Sequence, residues 1–242
     1  MLARCCQKKF QVVQSVISIS PLLLRYFPQA NTPCAGKRSR GAIVAPETTT
    51  GMKIVLASAS RYRRELLNRL QIRFSAVNPG VEEVPLAGEP PEAMATRHAT
   101  AKALAVASDH PDAVIIGCDQ VAVSGGKIVG KPGNHENAVR QLRELSGRDV
   151  MFYTALCVHD AASGRTATRV VPYRVKFRVL NDALIQRYLE REQPYDCAGS
   201  AKSEGLGIAL IERMEGEDPN ALVGLPLIAL VDLLGEYGVK IP

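Results

Sequence analysis

A chain of 242 residues that is 46% hydrophobic and 22% charged, with 19 Gly and 15 Pro, has the profile of a globular protein and excludes fibrous, collagen-like and wholly disordered readings. It is long enough to bury a sizeable core without disulfides or a structural metal, and no run of about 18 apolar residues offers a membrane span. The net charge of +6 sits in residues 1–51, which hold seven of the 30 basic residues (Arg4, Lys8, Lys9, Arg25, Lys37, Arg38, Arg40) and one of the 24 acidic ones, Glu47; the rest of the chain is neutral, so a nucleic acid is not the expected partner.

Residues 1–51 also carry three of the six cysteines and an apolar run broken at Ser20 and Pro21. An acid-poor leader with Arg and Ser leaves two readings open, an organelle transit peptide or a disordered or misassigned extension. The second is preferred because a clean strand starts at Met52. The expected compartment is cytoplasmic, with organelle targeting by residues 1–51 left open. The other cysteines, Cys118, Cys157 and Cys197, are odd in number and lack C-x-x-C spacing, which argues against a disulfide framework and a zinc site.

From Met52 onward the periodicities alternate between strand and helix. Lys53 to Ala57 reads as a buried strand that turns at Ser58-Ala-Ser60 into a helix from Arg61 to Leu70. Ile72 to Val77 reads as a strand, broken by Pro79 and Gly80 before Glu82 and Glu83. A helix from Pro91 to Ser108 carries His98 and, four residues on, Lys102 on one side. Ala113 to Cys118 is an apolar strand that meets polar sequence at Asp119, and Val121 to Val129 reads as a hairpin around Gly125-Gly126. In that hairpin Lys131 comes near Gln120 and Asp119. There follow a helix from Asn134 to Leu145, strands from Val150 to Val158 and Thr166 to Val179, a helix capped by Asn181 and running to Glu190, a strand from Gly207 to Ile211, a loop from Glu215 to Gly224, and a helix from Leu227 to Tyr237. The order predicts an α/β fold with a mixed central sheet and flanking helices.

Chemistry concentrates in a few places. Gly125 to Pro132 meets part of a P-loop pattern, but Pro132 stands where a magnesium-binding hydroxyl is needed and the context is a hairpin. Ser58-Ala-Ser-Arg-Tyr-Arg-Arg64 gathers hydroxyls, free backbone amides and guanidinium groups at a helix start, a combination that suits an anion and phosphate in particular. Cations at that helix end are otherwise unfavourable by about 0.3–1 kcal/mol each, a penalty an anionic ligand would remove. Asp119 at the end of a buried strand lies where α/β proteins commonly bind ligands. Taken singly, each of these charges is also what a solvated surface or a strand-end turn would show. Together, Arg63, Arg64, Lys102 and Lys131 can clamp a polyphosphate, while Asp119 and Glu83 can hold a divalent ion, Mg2+ or Mn2+, which is the inventory for phosphoanhydride hydrolysis.

Leu56 to Leu67, the Glu82-Glu83 pair, Ile116-Gly-Cys-Asp-Gln-Val121, Gly130-Lys-Pro132, Cys197 to Gly205 and Asp218 to Leu227 resemble the Maf family of nucleotide pyrophosphatases. The resemblance covers residues 52–242 as one domain, with residues 1–51 outside it. It implies an α/β fold like that of the inosine triphosphate pyrophosphatases, two lobes around a cleft, and hydrolysis of a nucleoside triphosphate to monophosphate and pyrophosphate with a divalent cation. By motif, it implies that Ser58 and Arg63 hold phosphate, that Glu83, Lys102 and Lys131 line the site, and that Asp119 is the catalytic acceptor or metal-organising carboxylate. Glu82 stands where the family commonly has Asp. Tyr62, Gln120 and Glu204 resemble the branch that cleaves 7-methyl-GTP, in contrast to the dTTP/UTP branch. The expected chemistry is coherent, because an aromatic face and a carboxylate favour a cationic N7-methylguanine. Related sequences often carry Trp at the Tyr62 position, and Tyr is the weaker π partner. A homodimer follows by analogy. Pyrimidine or other modified nucleotides, and a nucleotide-binding regulator of cell division, stay open as alternatives.

Overall fold

The computed structural model describes residues 51–242, so the reading of the basic leader lies outside the described residues, save for Gly51. The elements run β1 (Lys53–Ala57), α1 (Arg61–Asn68), β2 (Ser75–Val77), α2 (Pro91–Ala105), β3 (Ala113–Ser124), β4 (Lys127–Ile128), α3 (His135–Leu145), β5 (Asp149–Asp160), β6 (Thr166–Phe177), α4 (Asp182–Glu192), β7 (Ile211–Gly216), α5 (Pro219–Val223) and α6 (Leu227–Glu236). The strands form one seven-stranded mixed sheet in the order β2-β1-β3-β5-β6-β7, with β4 paired to β3. The expected α/β class with a mixed sheet and flanking helices is the one observed. Among the described residues no helix is long and apolar enough to cross a membrane.

Alternation along the strands decides which core each residue joins. Ile54, Leu56, Ile116 and Cys118 pack on one sheet face against Leu66 and Leu67 of α1 and Leu230, Leu233 and Leu234 of α6. Val55, Ala57 and Ile115 point the other way, onto Ala95, Ala99 and Ala103 of α2. A further cluster joins Phe152, Val175 and Phe177 to Leu142 of α3 and Ile185 and Leu189 of α4. Phe152 and Leu156 lie on the same side of β5, so one sheet face carries two separate cores. Between them sit the paired residues Gln120 and Thr154, and the cleft opens above these.

Four expectations change. β3 does not stop at Cys118 but runs on to Ser124, held by ten residue pairs with β5 from Val114 to Val123. Only Ser75, Ala76 and Val77 of the expected Ile72–Val77 strand pair with β1, because Gln71 turns the chain at φ 54° just before it. The expected strand Gly207–Ile211 is a 3-10 turn over Leu206–Leu210 that leads into β7. At Gly207 a side chain would meet the Lys202 backbone at 2.5–2.7 Å, so the chain folds back on itself there instead of extending. The expected loop Glu215–Gly224 contains the last residues of β7 and the short helix α5, which starts from Asp218 as N-cap with Pro219 in its first turn.

Candidate active site

The parallel pairing of β1 with β3 ends at Ala57 and Gly117, and β4 pairs with β3 only at Val123 and Ser124. The intervening edge of β3 is therefore open, and Asp119 and Gln120 lie in it, on opposite faces of the strand. Asp119 stands at the end of the parallel pairing, not at the end of its strand. Ligands gather at such places in open α/β sheets because the loop after the neighbouring strand, here Ser58 to Ser60, leans over the gap.

Gly117 lets α2 close on this edge. A Cβ there would fall on the Ala99 carbonyl oxygen and lie 2.9 Å from Ala103 N. The close approach sets His98 and Lys102, one helical turn apart, against Asp119. Lys102 Nζ donates to Asp119 Oδ1 at 2.6 Å and also to Glu83 Oε1. His98 Nδ1 lies 3.2 Å from Asp119 Oδ2, and its Nε2 lies 3.4 Å from the Val84 carbonyl oxygen. Lys102, Asp119 and His98 are 5%, 4% and 1% exposed, so these charges interact with little solvent screening. Glu83 is about half exposed. Burial alone would push its carboxyl up, but the Lys102 hydrogen bond and charge, with Lys131 and Arg63 beyond, outweigh this and hold it below the usual carboxylate range.

The start of α1 closes the gap from the other side. Ser60 caps the helix by accepting from Arg63 N at 3.4 Å and donates its own backbone amide to Ser58 Oγ at 3.2 Å. Arg63 donates from Nε to the Gly224 carbonyl at 2.9 Å and reaches Ser58 Oγ from Nη1 at 3.5 Å. Gly224 adopts φ 121°, a backbone conformation that other residues rarely take, so this position suits glycine. Ser58, Ser60, Arg61, Arg63, Glu83, Lys102 and Lys131 line an outer compartment of about 720 Å³.

An inner compartment of about 140 Å³ adjoins it and shares Ser60, Tyr62, Arg63, Glu83, Lys131 and Asp196. Its wall is Phe152, Val175 and Phe177 on one side and Leu222 to Gly224 on the other, with Gln120 between and Glu204 at the rim. Gln120 Nε2 donates to the Ala221 and Leu222 carbonyls at 2.8 and 3.1 Å and lies 3.0 Å from Thr154 Oγ1. Its amide oxygen is thus the group left to meet a ligand. The Tyr62 ring has Arg61 Cζ 4.7 Å and Lys202 Nζ 5.8 Å from its centroid. Its hydroxyl accepts from Arg61 Nη2 at 2.6 Å and donates to Asp196 Oδ1 at 3.3 Å. Burial pushes the Tyr62 phenol up to about 12, so the ring stays neutral.

The structure brings Ser58, Tyr62, Arg63, Glu83, Lys102, Asp119, Gln120, Lys131 and Glu204 to one cleft. It does not bring Arg64, which is exposed on the far side of α1 and faces a shallow groove with Asn68, Ile72 and Arg73. The hairpin register puts Val123 opposite Ile128 and Ser124 opposite Lys127, as the Gly125-Gly126 turn requires, and Lys131 follows beyond the ladder. Sequence reasoning passed over His98 as a site residue, although its spacing from Lys102 was visible. It also passed over Thr154, Asp196 and the Gly224 carbonyl, whose places depend on contacts remote in sequence.

The Maf family, described as Maf-like protein, matches residues 53–237. A Nitrosospira multiformis protein named 7-methyl-GTP pyrophosphatase is 59% identical over 189 residues, which is 78% of this chain and 96% of that protein. A protein of the same name from Methylobacillus flagellatus is 57% identical over 188 residues, 78% of this chain and 98% of its own. Among solved structures, the Staphylococcus aureus Ham1 protein has 16% identity over 52% of this chain and 71% of its own at a TM-score of 0.38, an overlap that adds nothing to the assignment. With its ordered motifs gathered in one cleft, a family match over residues 53–237 and relatives 57–59% identical across 78% of its length, the chain belongs to the Maf family.

Proposed function

We propose that this protein hydrolyses 7-methyl-GTP to 7-methyl-GMP and pyrophosphate. The observation that carries the reading is the sharing of Lys102 by Glu83 and Asp119, with Arg63 and Lys131 close by, beside a compartment faced by Tyr62 and Glu204. A triphosphate chain in the outer compartment would meet Ser58, Arg63, Lys102 and Lys131, whose charges offset the negative charge that builds on the leaving pyrophosphate. Asp119, fixed by two donors, orients the attacking water toward the phosphorus. The relatives' names support the base, and so do the residues: the neutral Tyr62 ring already attracts two cations, and the Glu204 carboxylate completes a setting that prefers a cationic purine.

A divalent cation fits this site. Magnesium is commonly held by one or two carboxylates with substrate phosphates and water completing its shell. Asp119 and Glu83 open onto the same compartment and keep oxygen lone pairs beyond those engaged by Lys102 and His98. Among the described residues no group of three or more His, Cys, Asp or Glu side chains forms an all-protein cage, which suits an ion that arrives with the nucleotide. When bound, the ion would neutralise phosphate charge. All of these residues come from one chain, so the reading does not require the homodimer that the resemblance implies.

The test is pyrophosphate release by the full chain with 7-methyl-GTP, GTP, UTP and dTTP, with and without magnesium or manganese, beside Asp119→Asn. Fastest release from 7-methyl-GTP, lost with chelator and in the variant, is expected. Faster release from UTP or dTTP would overturn the base assignment and keep the chemistry. Nucleotide binding with no release from any substrate would favour a regulator.

A further inference from the structure

Resting on that reading, we propose that His98 is a positioning residue that fixes the Asp119 carboxylate from behind and ties it to the segment carrying Glu83. A carboxylate hydrogen-bonded through one oxygen can still rotate about its last bond. Lys102 engages Oδ1 of Asp119 at 2.6 Å, and His98 Nδ1 engages Oδ2 at 3.2 Å. With both oxygens held, the plane of the carboxylate is set, and the remaining lone pairs face the opening.

The other ring nitrogen does a second task. His98 Nε2 faces the Val84 carbonyl at 3.4 Å, and Arg97 Nη2 donates to the same oxygen at 3.0 Å while its guanidinium pairs with Glu89. Val84 follows Glu83 directly, so these contacts fix the backbone from which Glu83 reaches Lys102. Lys102 joins the two carboxylates on the side of the opening, and His98 joins the same two segments on the side of the core. Each ring nitrogen faces an oxygen acceptor, so both contacts are hydrogen bonds when both nitrogens carry a proton, an arrangement that a histidine which only fills space does not need. At 1% exposure His98 meets no substrate, and its effect passes through Asp119 and Glu83.

Isosteric replacements separate the two contacts. In His98→Asn the amide nitrogen can occupy the place of Nδ1 and keep the bond to Asp119, while in His98→Gln it can reach the place of Nε2 and keep only the bond to Val84. His98→Leu keeps neither. Full-length wild type, these three variants and Asp119→Asn are compared for kcat and KM with 7-methyl-GTP, with melting curves to match their folding. The expected result is that Asn retains most of the wild-type kcat, whereas Gln and Leu lose on the order of 10–100-fold, the loss typical of removing a partner that orients a reacting ligand, at little-changed KM. If His98→Leu does not fold, the Asn and Gln pair decides. A second readout needs no turnover: nitrogen-15 NMR should show a proton on His98 Nδ1 whose resonance moves in Asp119→Asn. Wild-type kcat in His98→Gln, or an Nδ1 without a proton, overturns the proposal. Wild type inactive on every nucleotide overturns the underlying reading and the proposal with it, whereas active wild type with inactive Asp119→Asn leaves the reading standing whatever His98 does.

Discussion

The buried charge cluster and the rim that faces the base share a cleft but are built differently. The groups assigned to chemistry, Asp119 and Lys102, project from the middle of β3 and the last turn of α2, are almost fully buried, and hold one another through a short hydrogen bond. Those assigned to the base come from a helix start and a rim: Tyr62 from the first turn of α1, and Glu204 from the segment between α4 and β7. Glu204 is exposed, and the Arg61 guanidinium over the Tyr62 ring belongs to a side chain that is 66% exposed. A buried, mutually satisfied charge cluster cannot be altered without cost to the fold, whereas an exposed rim can change one residue at a time. One scaffold can thus keep a reaction while its base preference drifts.

The sharpest way to break that contrast is to remove one charge from the buried cluster. Lys102→Met leaves Asp119 buried beside Glu83 without its cation, and the expected loss is about 3–5 kcal/mol of folding stability together with activity. Lys131→Met removes a cation from the same cleft, but the side chain is exposed, so stability should stay within about 0.5 kcal/mol while activity falls. Urea unfolding and pyrophosphate release on both variants check this; similar stability losses would erase the distinction between clamp and core. Next in size is Gly117→Ala. Its methyl group would collide with the Ala99 carbonyl, forcing α2 away from β3 at about 1–3 kcal/mol, and His98 and Lys102 would move with the helix. A drop in kcat larger than the change in KM should accompany the lower melting temperature.

Why some of this was legible in the sequence and some was not follows from how far apart the interacting residues lie. The turn from β1 into α1, the side shared by His98 and Lys102, and the pairing of Val123 with Ile128 are set within a few residues, and periodicity or a Gly-Gly turn is enough to read them. The strand end expected after Cys118 fails for another reason. Polar Asp119 looks like a strand end, yet β5 holds β3 together past it, and what ends there is the pairing with β1. Likewise the partners of Gln120 are the carbonyls of α5, about a hundred residues on, and the closeness of Arg63 to Gly224 depends on the same remote loop. The Asp218-Pro219 start of α5 was a local signal that could have been read as an N-cap. Arg64 is next to Arg63 in the sequence, but neighbours on a helix point about 100° apart, which turns Arg64 out of the cleft.

Changes at the rim should move selectivity and leave stability alone. Tyr62→Leu removes the π face, and the preference for 7-methyl-GTP over GTP should fall by about 0.5–2 kcal/mol, roughly 2- to 30-fold in the ratio of kcat/KM. Arg61→Ala acts in the opposite sense. It takes away the cation that rests 4.7 Å from the ring centroid, so a cationic base no longer competes with it and the preference should rise. Measuring kcat/KM for both nucleotides on both variants sharpens the contrast; a shift in GTP turnover alone would mean that Tyr62 acts by packing and not by charge.

The smallest effect expected concerns Cys197, which lines the inner compartment with its thiol 3.7 Å from the Tyr62 hydroxyl. Burial pushes this thiol up to about 11, partly opposed by the hydrogen bond with Tyr62. The thiolate is the reactive form, and a rise from an ordinary value near 9 makes it on the order of 100-fold scarcer at neutral pH. Alkylation at Cys197, followed by mass spectrometry of its peptide, should therefore be slow at pH 7 and speed up about tenfold per pH unit between pH 8 and 10. Saturating 7-methyl-GTP with the inactive Asp119→Asn protein should slow it at every pH, because the base would cover the thiol. Fast labelling at pH 7 would mean that the inner wall opens readily to solvent. The selectivity groups would then be more loosely held than the buried cluster, and the Tyr62 effect should shrink toward the lower end of its range.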